Sequence, residues 1–153
     1  MARMVDVGKK EVVRRVATAE GSLTLKEATA EEVRMGRIKK GDVLTASKLA
    51  GIQAAKATSS ILPLCHQIPL TSVEVDIDVG DGCLKASCTV SAFYRTGVEM
   101  EALVGVAAAL LNAWDMVKYL EKDSRGQYPD TNITDIRVVS KKKGGVVRGR
   151  RRA

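Results

Sequence analysis

Alternating apolar runs and runs with three- and four-residue apolar spacing follow one another in the order strand, helix, strand, strand, helix, strand. That order predicts an α+β domain of the ferredoxin-like βαββαβ type. The length of 153 residues suits a single core, and no internal repeat or compositional boundary divides the chain. The expected architecture is an antiparallel sheet with helices packed on one face, which leaves the other face to solvent or assembly.

Residues 10–26 read as extended, with a break expected at Glu20-Gly21. Thr29 and Glu32 have the spacing of a capping box for a short helix that Gly36 can end. Gly41-Asp42 opens a second helix with an apolar stripe of Val43, Ala46, Ala50, Ala54 and Ala57. Side chains this small imply close packing on a sheet or another helix, and Pro63 limits the far end. Val73, Val75, Ile77 and Val79 alternate with Glu74, Asp76 and Asp78. Gly80-Asp81-Gly82 then turns the chain, and Leu84, Ala86, Cys88, Val90 and Ala92 complete a hairpin. Residues 98–121 give the longest helix, its core stripe being Leu103, Val106, Leu110, Trp114 and Val117. Residues 132–140 return to a strand around Ile133, Ile136 and Val138.

Composition excludes several classes. At 45% hydrophobic and 28% charged, with 3 Pro and 13 Gly, the chain is neither disordered throughout nor collagen-like. The longest apolar run, Ala102 to Trp114, is short of the roughly 20 residues that span a bilayer. Arg3, Asp6, Lys9 and Lys10 leave no room for an apolar signal segment, so the expected location is cytoplasmic, with no membrane partner. The net charge of +7 resides in residues 141–153, which hold seven basic side chains and no acid; the rest balances eighteen against eighteen. We therefore expect one domain over residues 1–145 and a basic tail over 146–153. The tail suits a polyanion or simply solvent. With 3% aromatic residues and none interleaved in the tail, stacking platforms are few, which weighs against nucleic acid as the partner. Three cysteines, one histidine and no CxxC pair argue against disulfides and against a zinc site; no metal ligands are expected.

Five short segments could carry chemistry. In Lys39-Lys40-Gly41-Asp42, a lysine at a helix start can meet a phosphate or act as a base, or the segment is a solvated loop. His66, the only histidine, sits between Pro63 and Pro69 on a stiff loop that also holds Leu64 and Cys65. Glu99 and Glu101 flank Met100 at a helix start, where the macrodipole alone would favour acids. Asp115 and Lys118 are helical neighbours, either a surface ion pair or an acid–base pair whose members tune each other. Lys141-Lys142-Lys143 precedes two glycines and could fold over a phosphate chain or begin a loose tail.

The stretches MVDV (4–7), KGDV (40–43), AGIQAAK (50–56), PLCH (63–66), GVEMEA (97–102) and DMVK (115–118) occur in that order. This pattern closely resembles the molybdenum cofactor biosynthesis protein C family, the cyclic pyranopterin monophosphate synthases, from Met4 to Gly145. The resemblance implies a lyase of the phosphorus–oxygen type. Its substrate would be (8S)-3′,8-cyclo-7,8-dihydroguanosine 5′-triphosphate, its products cyclic pyranopterin monophosphate and diphosphate. It implies a catalytic Asp115 with Lys118 as partner, an essential Lys40, and substrate contacts from Leu64, Cys65, His66, Glu99, Met100, Glu101 and Arg15. Lys142 matches a lysine before the Gly-Gly pair, with Lys141 and Lys143 one residue to either side. It further implies a homohexamer, a trimer of dimers with pockets at subunit interfaces. No cofactor is required, although Mg²⁺ could accompany the triphosphate. Trp114 stands where the family often has Tyr, and residues 146–149 depart from the family's Ser-Gly. A nucleotide-binding regulator that keeps the pocket is the alternative; the intact Lys40, Asp115 and Lys118 argue against it. On a straight helix Glu101 and Asp115 lie about 21 Å apart. Both can act on one ring system only if a neighbouring molecule supplies one of them or the helix starts later.

Overall fold

The structure, a computed structural model, describes residues 1–146. Four strands, β1 (Val13–Thr24), β2 (Leu70–Gly80), β3 (Cys83–Tyr94) and β4 (Asn132–Val146), form one antiparallel sheet in the order β2-β3-β1-β4. The helices are α1 (Glu27–Arg34), α2 (Val43–Lys56), the single turn α3 (Thr58–Ile61) and α4 (Glu99–Glu121). Helices α2 and α4 pack against each other and on one sheet face. The expected α+β, ferredoxin-like arrangement is the observed one. The hairpin follows the alternation closely: Leu84, Ala86, Cys88, Val90 and Ala92 are all buried on the helix side, and Gly82 takes the left-handed turn position at φ 62°.

Several local expectations need correction. Strand β1 does not break at Glu20-Gly21; its register with β3 is continuous from Val13 to Thr24. The irregularity lies in β4, whose register against β1 shifts at three points; one of these bulges lies opposite Gly21, where Asp135 takes φ 58°. A Cβ on Gly21 would meet Ile136 at 2.9 Å and Val106 at 2.8 Å, so the glycine makes room for the bulge. The same bulge explains the uneven spacing of Ile133, Ile136 and Val138. Ile136 and Val138 are more than a third exposed, because β4 is an edge strand and none of the described residues covers them fully. Thr29 caps nothing. Helix α1 starts two residues earlier, and the Thr29 hydroxyl instead donates to the buried Glu121 carboxylate. In α2 the buried face is Val43, Ser47, Gly51 and Ala55, turned by one residue from the predicted alanine stripe. Lys141–Val146 continue β4, so neither the glycine pair nor Val146 begins a loose segment. The rest of the expected tail, residues 147–153, lies outside the described residues.

The tight point of the core is the crossing of α2 and α4. A Cβ on Gly51 would lie 2.9 Å from the Gly105 carbonyl oxygen, and one on Gly105 would lie 2.6 Å from Cys88 Sγ. Beside them Asn112 Nδ2 donates to the buried Ser47 Oγ at 3.1 Å. Helix α4 is also the one described helix long and apolar enough to cross a membrane, but half of that window is buried, as in a core helix. Gly105→Ala should gain about 1 kcal/mol of helix propensity and lose more to overpacking, typically about 1–3 kcal/mol. A urea titration should show a lower midpoint; an unchanged or higher one would contradict this packing.

Candidate functional site

The predicted residues gather into two clusters at opposite ends of α4. At the C-terminal end, Asp115 receives two lysines. Lys40 Nζ lies 2.8 Å from Asp115 Oδ2 and 3.2 Å from the Asp115 carbonyl oxygen; Lys118 Nζ lies 3.0 Å from Oδ1. Lys118 arrives by helical spacing. Lys40 arrives from the loop before α2, whose start is set by Asp42 accepting the Thr45 N–H at 3.0 Å. The Lys40 ammonium, then that of Lys118, holds the Asp115 carboxyl below the usual aspartate range, and Asp115 in turn raises the Lys118 pKa. All three side chains are about half exposed, so the cluster is a charged surface open to a ligand. Trp114 packs edge-on to Tyr128 at 5.5 Å.

At the N-terminal end of α4 a cleft of about 540 Å³ is lined by Leu64, Cys65, His66, Ile68, Thr96, Gly97, Glu99, Met100, Glu101, Val138 and Lys141. The two acids at the helix start differ sharply. Glu101 is buried at 4% exposure, and burial, reinforced by the Glu99 charge, raises its pKa. Burial alone would raise Glu99 too, but a hydrogen-bonded ion pair with Lys141 and the nearby Arg15 charge take it below the usual range. Burial, with the Glu101 charge behind it, also raises the Cys65 thiol. His66 Nε2 lies 2.6 Å from the Val5 carbonyl. A carbonyl only accepts, so Nε2 carries a proton and Nδ1 remains for a ligand. Arg15 reaches the Arg95 carbonyl through Nη2 at 3.3 Å, while its buried Nε meets no partner among the described residues.

Strand register decides among the three lysines. Lys141 lies opposite buried Ala17, on the helix side, where it meets Glu99; Lys142 lies opposite Val16, on the open face. Within this chain Lys142 therefore does not join the cleft, and the lysine that does is Lys141. The resemblance singles out Lys142, one residue away, because alternation assigns a face only after one neighbour's register is known. Glu121 escaped notice altogether. It is a fully buried carboxylate that accepts from Lys26 N, Thr29 Oγ1 and Thr131 Oγ1, and thereby ties the end of α4 to the starts of α1 and β4. An acid at a helix end reads as solvated, and two of its donors, Lys26 and Thr29, are more than 90 residues away in sequence. Among the described residues no three His, Cys, Asp or Glu side chains gather to hold a metal ion.

Comparison with known proteins bears on the assignment of these clusters. The model of the MoaC family matches residues 4–144, which span both of them. The chain belongs to the MoaC family. Among curated relatives, the probable cyclic pyranopterin monophosphate synthase of Thermococcus kodakarensis is 55% identical over 142 residues, 93% of this chain and 91% of its own length. The Pyrococcus furiosus protein of the same name is 53% identical over 139 residues, 91% of this chain and 89% of its own. A Methanothermobacter thermautotrophicus MoaC relative, 54% identical over 141 residues (92% of this chain, 89% of its own), is named a probable cyclic pyranopterin monophosphate synthase accessory protein. The resemblance carried by the sequence motifs is thus borne out.

The electrostatics give a two-sided test. In a carboxyl NMR titration Glu101 should titrate above the ordinary glutamate range and Glu99 below it, and Lys141→Ala should lift Glu99 past its ordinary value. Because the folded state holds the Glu101 proton more tightly than the unfolded state, ionised Glu101 opposes folding as pH rises through its folded pKa. Glu101→Gln should therefore raise the thermal midpoint at neutral pH. A lowered midpoint, or Glu99 and Glu101 titrating alike, would contradict the assignment.

Proposed function

We propose that this chain is a cyclic pyranopterin monophosphate synthase: a phosphorus–oxygen lyase that converts the 3′,8-cyclised dihydro-GTP to cyclic pyranopterin monophosphate and diphosphate, in molybdenum cofactor biosynthesis. The observation that carries this reading is the Lys40–Asp115–Lys118 arrangement, three charged groups from two motifs far apart in sequence meeting on an open surface. A triphosphate needs cations, and Lys40, Lys118, Arg15 and Lys141 supply them. Asp115 stays ionised and keeps two ammonium groups side by side. Glu99 and Glu101, neighbouring acids with pKa values pushed in opposite directions, suit the base and acid roles that ring opening and reclosure require. No resident cofactor is invoked, and Mg²⁺ would travel with the triphosphate.

The reading also includes a shared active centre. Helix α4 is unbroken from Glu99 to Glu121, so Glu101 and Asp115 stay about 21 Å apart along its axis. Two copies bringing opposite ends of α4 together would complete the site, in a homohexamer built as a trimer of dimers in the cytoplasm. Exposed Ile136, Val138, Val139 and Met100 beside the cleft offer the apolar surface for that contact. Lys142, on the open face, would serve a neighbouring copy's site rather than its own.

The test is incubation of the purified protein with the cyclised intermediate, assaying pterin product and diphosphate. Both should form in equal amounts. Asp115→Ala and Lys118→Ala should each lower turnover by at least about 100-fold while the chain stays folded, since both residues are half exposed. Absence of product from the wild-type protein alone, with product only when a second protein is added, would favour the accessory role named for the Methanothermobacter relative.

A further inference from the structure

Lysine 40 poses a positioning problem. Its ammonium sits on a four-carbon stem in the loop between α1 and α2, yet it must meet Asp115 on α4, 75 residues away in sequence. Flexible side chains are localised cheaply only when the backbone beneath them is already fixed. Ile38 holds one side of the loop in the core at 6% exposure, and the Gly41 N–H closes a turn on the Ile38 carbonyl at 3.1 Å. Lys39, the first of the two residues between them, is held from outside. The backbone N–H of Lys39 donates to the Tyr119 hydroxyl at 3.0 Å, and the Lys39 ammonium lies 5.2 Å from the centre of the Tyr119 ring.

Tyr119 follows Asp115 by four residues and therefore shares its face of α4. The group that holds the loop and the carboxylate that receives Lys40 are one helical turn apart on one rigid element. The ring–ammonium contact is at the surface, where such contacts contribute little. The hydroxyl is different, because a backbone donor one residue before Lys40 fixes where the Lys40 stem begins.

We propose that the Tyr119 hydroxyl is a positioning residue for the reaction: by accepting the Lys39 N–H it sets the Lys40 ammonium on Asp115. The catalytic consequence rests on the function proposed above; the structural claim does not.

The test variants are Tyr119→Phe, which deletes the acceptor but keeps the ring, and Lys39→Ala, which deletes the ring contact but keeps the N–H. Two readouts apply: the Asp115 carboxyl titration by NMR, and kcat against KM for the cyclised substrate. In Tyr119→Phe the Asp115 pKa should rise toward its value in Lys40→Ala, and kcat should fall about fivefold with KM changed less than twofold. Lys39→Ala should leave both readouts near wild type. A backbone ester at Lys39, which removes the donor and leaves Tyr119 intact, should shift Asp115 in the same direction and stands in if Tyr119→Phe fails to fold. Asp115 titrating as in wild type in Tyr119→Phe or in the ester, while Lys40→Ala moves it, would overturn the proposal. Equal losses in Lys39→Ala and Tyr119→Phe would overturn it too, by assigning the effect to the ring. If wild-type protein leaves the cyclised substrate unconverted, the functional reading fails, and the titration still decides whether Tyr119 places Lys40.

Discussion

No side chain fits where α4 crosses α2. Gly51 and Gly105 approach so closely that a methyl on Gly51 would press on backbone, and one on Gly105 on the buried Cys88 sulfur. That contact fixes the distance between the two helices, and the distance fixes the site. The loop that ends in Asp42 and starts α2 is laid along the C-terminal half of α4 by it, within reach of Asp115 and Tyr119. A wider crossing would leave Lys40 in solvent. The Ser47–Asn112 hydrogen bond beside the glycines satisfies the polar groups that so close an approach would otherwise strand.

Helix α4 then acts as a bar with a different chemistry at each end. Its N-terminal turn holds Glu99 and Glu101, where the helix dipole favours acids, but burial of Glu101 outweighs that preference and raises its pKa. Its C-terminal half carries Asp115 under two ammonium groups. Glu121 locks the far end: its carboxylate collects donors from the β1–α1 junction and from Thr131 just before β4. A buried carboxylate is costly unless its lone pairs are filled, and here each oxygen accepts from more than one group or from a close hydroxyl. The lock keeps the two ends of the bar in register with the sheet.

Much of this was legible from residues alone. The hairpin over Val73–Ala92 and the long helix followed from periodicity, because each buries one regular face. The site motifs were legible through their order and through Asp115-to-Lys118 spacing, which helical geometry converts directly into contact. What sequence did not show depends on partners distant in the chain. The buried face of α2 is set by Gly105, which allows Ser47 and Gly51 inward instead of the alanines. Thr29 looked like a cap because its true partner, Glu121, is 92 residues away. The choice of Lys141 for the cleft needed the pairing of β4 with Ala17, and Tyr119 has no local signature at all.

The central claim is that one active centre takes its acids from one copy's α4 and its Asp115 cluster from another's. Subunit exchange tests it directly. A Glu99→Ala, Glu101→Ala double variant and an Asp115→Ala variant, each inactive alone, are mixed under exchanging conditions, and mixed oligomers are verified. Shared centres predict partial recovery of turnover, because some interfaces receive both intact halves. No recovery in verified mixed oligomers would contradict the claim and confine the centre to one chain.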